Sequence, residues 1–181
     1  MVPQTGLSTR PNPMRIDVAQ PEEYAEIGAV NVAAYEEYRA VVGEEAWAGM
    51  RAALEGVDAL AAGAELLVAR EEGRLLGAVI YAGPGCTRPP LPAEWASIRA
   101  LAVPPWARGC GAGRALVETC IARARLNEAE TIGLYSTEMM ATARALYARL
   151  GFVDDGPLPP RHGQPCRRYR IDLALSTCHI L

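Results

Sequence analysis

The sequence predicts a single domain of the α/β class. Its length of 181 residues suits one hydrophobic core rather than two domains. Hydrophobic residues make up 50% of the chain and charged residues 22%, a composition typical of globular rather than disordered proteins. Apolar runs of strand length alternate with segments of helical periodicity, which indicates a sheet packed against helices.

The first third of the chain is predicted to form one strand and two helices. Residues 14–19 alternate weakly between apolar and polar side chains, as strands do. Pro21 and two glutamates follow, a typical helix start, and apolar residues then recur at helical spacing through residues 21–38. A second helical stretch runs from about 44 to 62.

The middle of the chain is predicted to form three strands. Two apolar runs, 65–71 and 74–83, are separated by the turn-like Glu72-Gly73 and indicate a β-hairpin. Residues 83–92 contain too much proline for regular structure. Residues 95–103 have the near-continuous apolar character of a strand that is buried on both faces.

The last part of the chain is predicted to contain two helices and two strands. Residues 111–125 place one apolar stripe opposite several arginines, as expected of a helix that packs on a sheet. A short strand at 131–136, a helix at 141–150 that ends at a glycine, and an alternating strand at 166–175 follow.

Composition excludes several classes of chemistry. All 18 basic residues are arginine, so a lysine Schiff base and the phosphate-binding lysine of a Walker A loop are both excluded. The five cysteines never occur as C-x-x-C, and both histidines lie late in the chain. These features argue against a disulfide scaffold and against a structural metal site, so no metal is expected.

The sequence predicts neither a membrane-spanning helix nor a signal peptide. Residues 75–87 form the longest uncharged stretch and are too few to span a bilayer. Residues 1–13 lack the apolar centre of a signal peptide and are expected to be a flexible tail. We therefore expect a folded domain over 14–175, a short extension over 176–181, a cytoplasmic location and no membrane partner.

Charge is distributed unevenly along the chain. Residues 14–75 hold five arginines and thirteen acidic residues, whereas residues 97–181 hold eleven arginines and seven acidic residues. The second half therefore favours anions, although solvated helix and strand faces would produce the same split. A net charge of −3 and an aromatic content of 6% argue against a nucleic-acid partner.

A glycine-rich turn is the most informative local feature. The strand at 95–103 stops before Pro104, and a helix begins among Gly109, Gly111 and Gly113. Such a turn lets backbone N–H groups and the positive end of a helix dipole converge on a diphosphate, although a tight turn alone would also account for the glycines. A Rossmann fingerprint is excluded because its last glycine is missing.

Two motifs resemble those of the GCN5-related N-acetyltransferase (GNAT) family. The acyl-CoA motif V-x-P-x-x-R-G-x-G-x-G is matched by Val103, Pro105 (one place late), Arg108, Gly109, Gly111 and Gly113. A second family signature is matched, in the expected order and spacing, by Ala143, Leu146, Tyr147, Gly151 and Phe152. The order of predicted elements over 14–175 is also similar to that of the family.

The resemblance implies a GNAT-like fold and an acetyl-CoA site. The sheet should be mixed, mostly antiparallel and flanked by helices on both faces, with a splay between the strand that ends at Val103 and the strand at 131–136. Backbone groups of Leu101, Ala102 and Val103 would contact the pantetheine arm. The diphosphate would be held by Arg108, Gly109, Cys110, Gly111, Ala112, Gly113 and Arg114.

The resemblance also implies a proton donor at Tyr147. Amine attack on a thioester expels a thiolate, and a phenol can protonate it. A core aromatic at helical spacing is the alternative for this tyrosine. The resemblance therefore implies transfer of an acetyl group to a primary amine by direct attack in a ternary complex. A non-catalytic acyl-CoA sensor is the alternative function.

Two positions depart from the family pattern. Ser97 stands where many relatives have a glutamate base, and Met140 stands where an asparagine often contacts the pantetheine arm. The candidate bases that remain are Glu94, Glu138, Tyr35 or a chain of water molecules. Arg99 is unusual on an apolar strand, and we expect it either in an ion pair, in contact with substrate, or at the solvent rim.

The acceptor is predicted from the junction of the first two helices, which the resemblance places beside the acceptor. This junction contains Glu36, Glu37, Glu44 and Glu45 together with Tyr35 and Tyr38. Acidic and aromatic groups together favour a cationic amine, so we expect a small primary amine or a protein amine rather than an anionic acid. Tyr35, Glu36 and Arg99 are the candidate acceptor contacts. A solvated helix face is the alternative interpretation, and the protein is expected to act as a monomer or a homodimer.

Overall fold

The computed structural model describes residues 13–174, so the expected extension at 176–181 and all but the last residue of the expected tail at 1–13 lie outside the described residues. The strands are β1 (Arg15–Val18), β2 (Glu65–Glu71), β3 (Arg74–Ala82), β4 (Ala96–Ala102), β5 (Thr131–Thr137), β6 (Val153–Arg161) and β7 (Gln164–Asp172). The helices are α1 (Tyr24–Tyr35), α2 (Arg39–Val42), α3 (Glu44–Glu55), α4 (Val57–Ala61), α5 (Ala112–Leu126) and α6 (Ala141–Arg149).

The seven strands form one mixed, mostly antiparallel sheet in the order β1-β2-β3-β4-β5-β7-β6. Only the neighbours β4 and β5 run parallel, and they pair at just two positions, Ala96 with Ile132 and Ser97 with Gly133. Beyond Ser97 the two strands separate. The predicted fold class and the predicted splay are therefore both confirmed.

Helices cover both faces of the sheet because alternate strand residues point in opposite directions. On β2, Leu67 and Ala69 pack in the cluster that contains residues of α5. Leu66 and Val68 belong to the opposite cluster, together with Ile27 of α1. These two clusters form the core on the two sides of the sheet.

The predicted helices over 21–38 and 44–62 are each interrupted. The first ends as α1 at Tyr35, passes through a 3₁₀ turn at Glu36–Tyr38 and continues as α2. The second divides into α3 and α4 at Gly56, whose φ of −79° and ψ of 63° are not helical. Helical periodicity persists across both breaks, so the breaks could not be read from the apolar spacing.

Strand β6 is the one element that the segment-by-segment prediction missed. Its sequence contains Pro157, Pro159 and Pro160, which cannot donate ladder hydrogen bonds. The strand is tolerated because it lies at the edge of the sheet, pairs only with β7 and shifts register twice. Three prolines argue against a central strand but not against an edge strand.

Candidate active site

The splay between β4 and β5 opens into a cleft of about 310 Å³. Its walls come from the end of α1, the end of β4, the glycine turn before α5, and α6. The lining residues are Ala34, Tyr35, Tyr38, Leu101, Val103, Ala107, Arg108, Gly109, Gly111, Ala112, Gly113, Arg114, Met140, Thr142, Ala143, Leu146, Tyr147 and Arg149.

The glycine turn has the geometry of an anion cradle. Gly109 and Gly111 have φ values of 80° and 91°, which side chains other than glycine rarely adopt. Helix α5 starts immediately after Gly111 and is 15 residues long, so its first N–H groups have no partner within the helix and its dipole is substantial. Both features direct positive character into the cleft.

Arg108 does not point freely into this cradle. Its guanidinium forms an ion pair with Glu37 and donates hydrogen bonds to the carbonyl oxygens of Val103 (3.3 Å) and Ala34 (3.4 Å). The side chain therefore ties the glycine turn to the end of α1. Arg114 and Arg149 also line the cleft, from α5 and α6. Arg114 pairs with Glu118 of its own helix at 2.8 Å, whereas Arg149 has no carboxylate partner among the described residues.

Tyr147 lies deep in the cleft. It is 6% exposed and packs edge-on against Phe152, with ring centroids 5.8 Å apart. Burial raises the pKa of the Tyr147 phenol, and nearby Tyr35 adds to the rise. The phenol is therefore neutral at physiological pH and can donate a proton but cannot act as a base.

Tyr35 occupies part of the surface that the resemblance assigned to the pantetheine arm. Its hydroxyl donates a hydrogen bond to the carbonyl oxygen of Leu101, at 3.1 Å. Burial raises the pKa of Tyr35, so this second phenol is also neutral. Tyr38 packs edge-on against Tyr35 at 5.9 Å, and burial beside Glu37 raises its pKa to about 12.

Neither carboxylate suggested as a general base lies in the cleft. Glu94 is exposed in the turn before β4, and Glu138 is exposed in the turn after β5. No carboxylate is found among the described residues that line the cleft. Ser97 is fully buried and accepts a hydrogen bond from Thr87 at 2.9 Å, so it anchors the preceding loop to β4.

The acidic junction does not supply the free negative charge on which the prediction of a cationic acceptor depends. Glu36 and Glu44 both pair with Arg39, at 3.4 and 2.8 Å, and Glu37 pairs with Arg108. Of the junction, only Tyr35 and Tyr38 line the cleft. The structure thus corrects the electrostatic argument, because two arginines pair with three of these four carboxylates and none of the four lines the cleft.

Three further predicted contacts lie outside the lining. Ala102 is buried where β4 pairs with β3, and Cys110 is exposed, with its thiol directed at the carbonyl oxygen of Ala107 at 2.8 Å. Arg99 is half-buried on β4.

Several lining residues were not predicted. Thr142 and Arg149 lie on α6, and Ala34 and Ala107 come from α1 and the 3₁₀ turn after β4. Helical spacing would not have found the α6 residues, because Thr142 lies five positions before Tyr147 and Arg149 two positions after it, and neither spacing places a residue on the same helix face. The contribution of α1 depends on a long-range contact that no local pattern reveals.

The described residues contain neither a helix that could span a membrane nor a cluster of metal-binding side chains. No helix within 13–174 has the length and apolar character needed to cross a bilayer. No group of histidine, cysteine and carboxylate side chains in that range is arranged to hold a metal ion.

Solved acetyltransferase structures share this fold. One of them comes from Corynebacterium glutamicum and is described as histone acetyltransferase HPA2 and related acetyltransferase. It superimposes with a TM-score of 0.67 at 24% sequence identity, and the match covers 88% of this chain and 94% of that chain. The yncA acetyltransferase of Salmonella typhimurium, solved with acetyl-CoA, has a TM-score of 0.64 and 21% identity, covering 90% and 95% of the two chains. At this identity the likeness shows the fold alone.

A third structure, the ribosomal-protein-alanine N-acetyltransferase of Brucella melitensis, has a TM-score of 0.63 and 23% identity, covering 88% of this chain and 99% of that one. No curated protein matches the chain in sequence. The model of the acetyltransferase (GNAT) family matches residues 22–152, which extend from the turn before α1 to the end of the second motif. With that match over most of its length, and with the family's fold, the chain belongs to the GNAT acetyltransferase family.

Proposed function

We propose that this protein transfers an acetyl group from acetyl-CoA to a primary amine, on a small molecule or a protein, within a ternary complex. The observation that carries the proposal is the position of Tyr147, a buried neutral phenol in the same cleft as the glycine turn. An anion cradle alone would suit many nucleotides. A proton donor beside it suits a reaction that expels a thiolate.

The cleft fits a CoA thioester at both ends. The left-handed glycines and the open start of α5 suit the diphosphate, with Arg114 and Arg149 on either side. Leu101, Val103 and Leu146 supply apolar walls for a slender arm. When bound, acetyl-CoA supplies the acetyl group as a thioester, which the amine converts to an amide while CoA leaves as a thiol.

Burial affects the acidity of the Tyr147 phenol and the basicity of the departing thiolate in the same direction. A raised pKa makes Tyr147 a weaker acid, but the same burial makes a thiolate more basic. The Tyr147 hydroxyl therefore donates a hydrogen bond, and then a proton, to a leaving group whose basicity has risen in parallel.

The amine proton has no carboxylate to accept it within the described lining of the cleft. Tyr35 is committed as a donor to Leu101, and its raised pKa prevents it from accepting a proton. We therefore propose that the acceptor enters as the neutral amine or loses its proton to solvent. The remaining roles suggested for Glu94 and Glu138 would require movement of their turns.

The proposal is tested by binding and turnover together. Calorimetric titration with acetyl-CoA should give a dissociation constant in the micromolar range, and amine acceptors should release free CoA. Gly111→Asp places a carboxylate in the cradle and should abolish binding through repulsion of the diphosphate.

Gly73→Asp is the matched control, because Gly73 also has a positive φ and open space but lies in the β2–β3 turn. It should bind acetyl-CoA as the unmodified protein does. Equal binding by the Gly111→Asp variant would contradict the donor site. Binding without turnover for any amine would favour the acyl-CoA sensor instead.

A further inference from the structure

Arg99 is a half-buried cation, and two nitrogen atoms of its guanidinium group have no partner. Its Nε and Nη2 atoms are shielded from solvent, and no described residue accepts a hydrogen bond from either atom. A guanidinium in this state has lost hydration without gaining an acceptor, which is costly unless an anion completes the site. Most other half-buried arginines differ in this respect, because they pair with carboxylates: Arg70, Arg123, Arg167 and Arg170.

The sheet register places Arg99 at the mouth of the splay. The last parallel pair joins Ser97 of β4 and Gly133 of β5. Arg99 and Tyr135 each lie two residues beyond this pair, where the two strands separate. Arg99 pairs with Ile80, which packs on the α1 side of the sheet. Tyr135 follows Leu134, which packs on the α5 side, so by strand alternation Tyr135 shares the face of Arg99.

The surroundings of Arg99 are cationic and aromatic. Burial and the neighbouring Arg88 both lower the pKa of the Arg99 guanidinium, although it remains charged at neutral pH. Arg161, the last residue of β6, stacks on the Tyr135 ring at 4.4 Å and donates to its hydroxyl at 3.0 Å. Within the described residues, Arg88, Arg99 and Arg161 form no ion pair.

This cationic group is connected to the reaction cleft through tyrosines. Tyr135 lies close enough to Tyr35 to contribute to the rise in the pKa of Tyr35, and Tyr35 has the same effect on Tyr147. Arg99 in turn interacts electrostatically with Tyr135. The hydroxyl of Tyr35 lies 3.1 Å from the carbonyl oxygen of Leu101, two residues along β4 from Arg99, so Arg99 lies beside the part of the cleft wall that Tyr35 forms.

We infer that the acceptor is a small primary amine that also carries an anionic group, a carboxylate or a phosphate, and that Arg99 binds this group with Arg88 and Arg161 beside it. The inference rests on the proposed acetyl transfer and names the acceptor class for that same cleft. The anion accepts hydrogen bonds from the two unpartnered guanidinium atoms, which fixes the amine at the other end toward Tyr147. The reaction itself is unchanged: the amine nitrogen bonds to the acetyl carbon, the carbon–sulfur bond breaks, and nitrogen loses a proton to solvent. The departing sulfur takes a proton from Tyr147, which solvent then replaces.

The test compares matched acceptors that differ only in the anionic group. A panel of α-amino acids is assayed for CoA release against the corresponding amino-acid amides, and O-phosphoethanolamine against ethanolamine. We expect kcat/KM to be higher for the anionic member by on the order of 10- to 100-fold, the range of a charge-assisted hydrogen-bond pair. The two arms distinguish a carboxylate from a phosphate.

Variants of Arg99 assign the effect to this residue. Arg99→Gln should remove the preference for the anionic member, measured as the ratio of the two kcat/KM values within each pair, and should leave the affinity for acetyl-CoA unchanged. Arg99→Lys, which retains the charge but not the planar fork, should restore part of the preference. Arg15→Gln, on the exposed strand β1, is the matched control and should change nothing.

The outcomes separate this inference from the proposed function. Turnover of neutral amines with no preference for anionic acceptors, or a preference that survives Arg99→Gln, would overturn the inference and leave acetyl transfer standing. If no acceptor is turned over, calorimetry with the same amino acids and O-phosphoethanolamine provides the second readout. Binding lost in Arg99→Gln would then support the anion site alone, whereas no binding would overturn it as well.

Discussion

At the scale of single residues, burial decides which chemistry each side chain of the cleft can perform. Tyr147 and Tyr35 lie in the same cleft, and the pKa of each is raised by burial. Only Tyr147 is without a described hydrogen-bond acceptor, because Tyr35 donates to Leu101. Two phenols of similar acidity therefore have different roles: one positions β4, and the other is free to protonate a leaving group.

Removal of the Tyr147 hydroxyl should slow the chemical step without weakening donor binding. For Tyr147→Phe we expect kcat to fall on the order of 10²- to 10⁴-fold, the usual contribution of a general acid, while the dissociation constant for acetyl-CoA changes little. Tyr24→Phe, on α1 away from the cleft, serves as the control. Steady-state rates of CoA release give the measurement, and an unchanged kcat would show that this hydroxyl is not the proton donor.

The pH dependence should follow the acceptor amine rather than a protein carboxylate. Only the neutral amine attacks, so kcat/KM should rise about tenfold per pH unit below the pKa of the amine and then level off. Because the pKa values of Tyr147 and Tyr35 lie above the ordinary phenol value, neither phenol ionises below pH 10, and no descending limb should appear there. A plateau that begins near pH 5 would instead reveal a carboxylate base.

The sequence predicted residues whose role depends on a local motif but not those that depend on distant partners. Tyr147 could be predicted because its motif neighbours lie within a few residues of it. The ion pair between Arg108 and Glu37 could not be predicted, because 71 positions separate the two residues in the chain. The sequence also could not predict that two guanidinium atoms of Arg99 have no partner, since an unpaired guanidinium has no sequence pattern of its own.

At the scale of elements, the approach of neighbouring backbones explains where the chain uses glycine. Gly77 on β3 faces the end of β4, and a Cβ atom there would lie 2.7 Å from the carbonyl oxygen of Ala102. Gly49, within α3, has no atom within 4 Å of the corresponding position. Gly77 permits close contact between β3 and β4 at the register shift beside the cleft, whereas no packing contact requires glycine at position 49.

These two glycines should respond to alanine with opposite signs. Gly77→Ala forces β4 away from β3 and should lower the free energy of unfolding by about 1–3 kcal/mol. Gly49→Ala removes backbone freedom from the unfolded chain at a helical site and should raise it by about 0.5–1 kcal/mol. Urea denaturation followed by circular dichroism measures both, and a stabilised Gly77→Ala variant would refute the close contact.

Elements were predictable where one kind of periodicity dominates. The hairpin β2–β3 and the helix α5 follow from apolar spacing alone, with bounds close to those observed. The break at Gly56 was hidden because both α3 and α4 keep apolar residues at helical spacing. Edge strand β6 was hidden because its position in the sheet, not its composition, makes its prolines acceptable.

At the scale of the whole molecule, the splay divides the sheet into two parts that are joined by little backbone pairing. Strands β1 to β4 form one part and β5 to β7 the other, with only two residue pairs between β4 and β5. The cleft lies at this weak junction and is walled by α1 and β4 on one side and by α6 on the other. A ligand in the cleft therefore replaces the missing strand contacts and should stabilise both parts together.

Acetyl-CoA should accordingly raise the melting temperature of the entire domain as one transition. At a ligand concentration of 100 times the dissociation constant, binding to the folded state alone contributes about 2.7 kcal/mol. For a domain of this size that corresponds to an increase in Tm of roughly 5–10 °C. Scanning calorimetry should show a single transition with and without ligand, because the core cluster on the α5 side contains residues from both parts of the sheet, among them Val79 of β3 and Ile132 of β5. Two transitions that respond differently to acetyl-CoA would show that the parts unfold independently, and no increase in Tm would mean that the cleft does not bind the donor.

Gly111→Asp should abolish the increase in Tm while Gly73→Asp retains it, since only the first substitution places a carboxylate in the glycine turn before α5.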